Sequence, residues 1–76
     1  MPEKTYKLIE LVGVSPRGVD QAVKNAIARA AKTLRNLDWF QVAEIRGLIQ
    51  IGKVGQFQVT LKVGFRIVGD KELREE

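Results

Sequence analysis

A chain of 76 residues with no Cys and no His is one small domain, without disulfides and without the usual ligands of a structural zinc site. Domains this small are marginal alone, so self-association is the staple left to it. Thirteen Lys and Arg against 9 Asp and Glu give a formal net charge of +4, a mild excess that serves solubility and also attracts phosphates or nucleic acid.

Met1-Pro2-Glu3-Lys4-Thr5 has no basic segment leading into an apolar one, so it is not a signal peptide. No apolar run approaches the ~20 residues of a membrane span. The expectation is a cytoplasmic protein with no membrane partner.

Thr5 to Val12 is rich in β-formers and carries apolar groups on both faces, which predicts a strand. Gly13-Val14-Ser15-Pro16 breaks it. Ser15 as N-cap with Pro16 at the first helical position predicts a helix start, the hydroxyl accepting an orphan N–H. From Pro16 to about Asn36, Val19, Ala22, Val23, Ala26, Ile27, Ala30, Leu34 and Leu37 fall at spacings of three and four. They describe one apolar face, largely alanine, so the helix can lie close to a sheet. The opposite face is mostly cationic.

Asp38 to about Ile51 predicts a second strand. Phe40 and Val42 share one face, and Trp39, Gln41 and Ala43 the other. Phe40 is therefore expected in the core and Trp39 outside it. Farther on the parity breaks, because Ile45 looks buried yet matches Trp39; a bulge near Ala43-Glu44 or a twist near Gly47 would each account for it. Gly52-Lys53-Val54-Gly55 predicts a hairpin turn. Phe57, Val59, Leu61, Val63, Phe65 and Ile67 then alternate with polar residues or glycine, a long strand with one buried face. The charged tail from Gly69 to Glu76 is expected to fray.

Strand, helix, strand, strand is an α+β domain spanning residues 1–76. With the last strand between the first two, the three-stranded sheet is antiparallel and one helix covers one face. The other face is left open and carries Trp39 and Gln58. It is a surface suited to self-association.

No catalytic constellation is present. Without His or Cys there is no ready general base or thiolate near neutral pH. The single serine is accounted for beside the helix, and the acidic residues lack metal-site spacing. The chain is a binding protein on this reading, not an enzyme. Trp39 offers a flat π surface, Gln58 an amide donor and acceptor, and Arg46 a planar cation. Taken singly, each also has an ordinary reading: interface packing for Trp39, a solvated strand residue for Gln58, a surface charge for Arg46.

Together these pieces resemble the dodecins, small flavin-binding proteins. The resemblance runs from about Tyr6 to Ile67. It rests on Gly13-Val14-Ser15, Ala28-Arg29-Ala30, Leu37-Asp38-Trp39-Phe40, Glu44-Ile45-Arg46-Gly47, and Phe57-Gln58-Val59 continuing to Val63-Gly64-Phe65-Arg66. Val14 stands where the family often has Thr, and Gln41 where it is often acidic; neither is a flavin position. The resemblance implies a β-α-β-β protomer whose sheet partly wraps one long helix, and a hollow homododecamer. It implies flavins (FMN, riboflavin or FAD) stacked in pairs between tryptophans at two-fold interfaces. Trp39 would be the stacking residue and Gln58 the partner of the ring edge. Arg46 would lie near the flavin, and Lys7 would be a candidate for its polar tail. Some bacterial relatives also hold coenzyme A, for which Lys4, Tyr6, Arg29, Thr33, Arg35 and Arg66 are the candidates here. Two rivals stand beside this reading. One is a basic nucleic-acid-binding module, disfavoured because stacking platforms interleave several aromatics rather than one. The other is a purely structural self-assembling domain with Trp39 as its anchor.

Overall fold

The computed structural model describes residues 4–67, so the expected fraying of the tail lies outside the described residues. Four elements follow in order: β1 (Thr5–Ser15), α1 (Val19–Ala30), β2 (Leu37–Gln50) and β3 (Lys53–Ile67). The sheet order is β1-β3-β2 with both pairings antiparallel, which is the α+β, β-α-β-β arrangement expected from the sequence.

The core forms where the alanine stripe meets the alternating strand. Ala22 and Ala26 of α1 pack on Val59, Leu61 and Val63 of β3, with Ile9, Leu11, Val19, Val23, Ile27 and Leu37 around them. Small helix side chains let the backbones approach closely, most of all at Gly13. A Cβ built there would collide with the carbonyl oxygen of Ala22 and lie 3.0 Å from the Ala26 Cβ. The helix lies mainly over β1 and β3 and leaves β2 largely uncovered.

That placement corrects the reading of Phe40. It sits opposite Val63 on the helix-facing side, as its parity requires, but it is 49% exposed because α1 does not reach across β2. Val42 and Ile45, on the same side of the strand, are exposed for the same reason.

Two boundaries move. Ser15 is not the N-cap: it ends β1 and is 2% exposed, and its Oγ accepts the Arg17 N–H at 3.0 Å. A serine hydroxyl satisfies a turn as readily as a helix end, and here the turn takes it. Gly18 is the N-cap, without a side-chain hydrogen bond, so Pro16 lies in the connection rather than in the helix. At the other end the helix stops at Ala30 instead of near Asn36. Lys32 and Thr33 then donate to the carbonyls three residues back, tightening the chain into turns. Asn36 takes φ 62°, a conformation asparagine tolerates, and its carbonyl accepts the Arg66 N–H at 3.0 Å to launch β2.

The hairpin turn is shorter than the glycines suggest. Ile51 and Gly52 alone form it, at φ 52° and 72°, and pairing resumes at Gln50 with Lys53. Two consecutive positive φ angles match the twist of antiparallel strands. Gly55 belongs to β3, inside a register shift between Leu48 and Ile49.

Candidate functional site

The open face of the sheet is built by register. Trp39 sits opposite Gly64, Gln41 opposite Lys62, Glu44 opposite Thr60, and Arg46 opposite Gln58. Between Val42 and Glu44 the register shifts, so Ala43 is an extra residue with no partner of its own. Of the two explanations for the broken parity, the bulge near Ala43-Glu44 is the one found. Its effect is specific. Trp39 is odd-numbered and Arg46 even-numbered, and a regular strand would place them on opposite faces. One extra residue brings both to the face that α1 does not cover.

Trp39 is held flat. A Cβ on Gly64 would collide with the indole, meeting Cε2, Cζ2 and Cδ2, so one face of the six-membered ring rests on the β3 backbone where no side chain stands. Tyr6, reaching across from the other outer strand β1, closes one edge, with ring centroids 5.8 Å apart and planes at 60°. The Tyr6 hydroxyl donates to Asp38 Oδ2 at 2.7 Å. That bond, then desolvation and the carboxylate charge, raise the phenol pKa, with Arg66 opposing. The other face of the indole is free to stack, and the residue is 42% exposed. Gly64→Ala is expected to lift the indole off the sheet while leaving the strand paired. Near-ultraviolet circular dichroism of the single Trp should lose its signal, with the far-ultraviolet spectrum unchanged. An unaltered near-ultraviolet spectrum would show that the glycine seat does not orient the ring.

At the other end of the face, Arg46 Nε donates to Gln58 Oε1 at 2.8 Å, and Gln58 Nε2 donates to Gln56 Oε1 at 3.0 Å. Each end of the Gln58 amide keeps capacity in hand: one N–H and one lone pair. Gln56, which fixes that amide, was invisible in the sequence because its role comes from the side chain two residues along the same face. Trp39 and Gln58 are not neighbours. Their register positions are six residues apart on β3, about 20 Å at the rise of a strand.

The remaining candidates divide. Lys7 pairs with Phe65 and belongs to the opposite, helix-facing side of the sheet, so one chain does not bring it to Trp39. Arg29 and Thr33 line a groove of about 460 Å³ between the end of α1 and β1, together with Asn25 and Gly13. Tyr6 and Arg66 are cross-strand partners on the open face, away from that groove. Lys4 and Arg35 are exposed outside the regular elements. The six coenzyme A candidates therefore do not form one site in a single chain. Among the described residues no group of three or more Asp and Glu is placed to hold a metal ion, and no helix is long and apolar enough to cross a membrane.

Comparison with known proteins agrees with this architecture. The dodecin family profile matches residues 5–68. A dodecin of Thermus thermophilus is 56% identical over 64 residues, covering 84% of this chain and 93% of the relative. The structure of dodecin from Streptomyces coelicolor superposes with a TM-score of 0.86 at 54% identity, covering 92% of this chain and all of that one. Dodecin from Streptomyces davaonensis gives 0.85 at 51% identity, covering 90% of this chain. With the order of elements, the sheet and the sequence all in agreement, the chain belongs to the dodecin family.

Proposed function

We propose that this protein binds flavin without catalysing a reaction, and that it stores, buffers or photoprotects FMN or riboflavin. The observation that carries the reading is the Ala43 bulge, which brings Arg46 to the same uncovered face as Trp39, opposite Gln58 of β3. An isoalloxazine ring would stack on the free side of Trp39. The spare N–H and lone pair of Gln58 suit the donor and acceptor of its imide edge, and Arg46 both fixes that amide and supplies positive charge. FAD presents the same ring and is the third ligand of this set.

A separation of about 20 Å along β3 keeps Trp39 and Gln58 of one chain from meeting on one ring system. The site is therefore assembled from at least two chains, Trp39 from one and Gln58 from another. Self-association supplies the second chain, and Leu8, Val12, Val14 and Leu48 give the open face exposed apolar groups to bury. The proposed assembly is a homododecamer, which light scattering should report as twelve chains. Only a second chain could bring Lys7 to the flavin.

An electron-rich indole against the flavin should quench its excited state by electron transfer, so one contact serves both storage and photoprotection. Titrating the protein into FMN should extinguish flavin fluorescence to a stoichiometric end point. Fluorescence that stays unchanged through excess protein would end the flavin reading.

A further inference from the structure

Trp39 is the only Trp of the chain and Tyr6 the only Tyr. The fold brings this pair into edge contact, with ring centroids 5.8 Å apart. Beyond the phenol lies the Asp38 carboxylate, which accepts its O–H at 2.7 Å. Tyr6 and Asp38 are 32 positions apart in sequence, so only the pairing of both outer strands with β3 creates the series indole, phenol, carboxylate. Stacking a flavin on Trp39 requires neither the phenolic hydroxyl nor the carboxylate.

We propose that Tyr6, with Asp38 as its proton acceptor, is a built-in one-electron reductant of oxidised Trp39. The natural oxidant rests on the flavin reading above, whereas the relay itself is a property of these three side chains. A photoexcited isoalloxazine stacked on Trp39 would be the one-electron oxidant, leaving the indole as a radical cation. Tyr6 then gives one electron to the indole, and its phenolic proton crosses the existing hydrogen bond to Asp38.

The step balances. An indole cation, a neutral phenol and a carboxylate become a neutral indole, a neutral phenoxyl radical and a neutral carboxylic acid. Total charge is zero on both sides. A phenol loses an electron more easily when its proton leaves in the same event, and the carboxylate is already in place to take it. Return of the electron from the reduced oxidant to the phenoxyl, with the proton coming back from Asp38, would restore every bond. The oxidising hole thereby leaves the indole before water or oxygen adds to it irreversibly.

The single Trp and single Tyr make a direct test, since each radical band has one source. Azidyl radicals from pulse radiolysis should oxidise Trp39 in the flavin-free full chain. The indolyl absorbance is then expected to convert to phenoxyl absorbance in a first-order step independent of protein concentration. Tyr6→Phe keeps the ring contact and should abolish the phenoxyl signal. Asp38→Asn keeps the shape and removes the proton acceptor, slowing the conversion on the order of a hundredfold. An indolyl radical that decays without phenoxyl, or a conversion that scales with protein concentration, overturns the relay. An unchanged rate in Asp38→Asn overturns the carboxylate's part in it. The oxidant here is not a flavin, so the result stands apart from the FMN titration that judges flavin binding.

Discussion

Trp39→Ala is expected to abolish the quenching of FMN fluorescence while the protein stays folded. The indole is 42% exposed and lies on the open face, outside the cluster formed by α1 and β3, so truncation leaves that core intact. What it removes is the stacking surface, worth about 1–3 kcal/mol for a base-sized ring, or roughly five- to 150-fold in Kd. Trp39→Phe separates the two consequences of the contact. A phenyl ring still stacks but is a poorer electron donor, so binding should fall less than quenching. Calorimetry reads the first and fluorescence the second. Wild-type quenching in Trp39→Ala would place the flavin away from this indole.

Gly13→Ala should be the most destabilising single-methyl change in the sheet. The constraint is space, since the added Cβ runs into the Ala22 carbonyl and lies 2.8 Å from its carbon. Backbone of a packed helix cannot turn aside as a side-chain end can. Overpacking of this kind costs about 1–3 kcal/mol. In a domain of this size that lowers Tm by roughly 5–20 °C. Gly18→Ala is the control, because its Cβ would meet only the Asp20 carboxylate at 3.1 Å, the end of an exposed and movable side chain. Equal melting temperatures for the two variants would show that α1 does not sit on β1 through Gly13.

The parts of the fold legible in sequence are those where burial imposes a period. Val59, Leu61 and Val63 announce β3 because every second position must be apolar, and Ala22, Ala26 and Ala30 announce the helix face in the same way. The termini of elements were less legible because local chemistry admits two answers. Ser15 can cap a helix or close a turn, and the choice depends on β3 extending far enough for Ser15 to pair with Phe57. Phe40 was assigned its face correctly, but its burial depends on how far α1 reaches, which no periodicity encodes. The site follows the same division. Trp39 and Gln58 were visible as outward residues. Arg46 was visible by its chemistry as a planar cation, but not by its facing, since its parity opposed Trp39 until the position of the bulge was known. Lys7 shares the parity of Ile9 and Leu11, so its place on the helix-facing side was already written in the strand. Gly64 as a seat for the indole had no sequence signal, because the contact spans two strands.

The bulge also bears on how this family can vary. Substitutions between Trp39 and Arg46 alter side chains but leave the count of residues untouched, so both ends of the segment keep their facing. Loss or gain of one residue there would turn one end over. Homologues that keep both the aromatic and the arginine should therefore hold the stretch between them to a constant length, whatever side chains it carries. The site is protected by arithmetic as much as by chemistry.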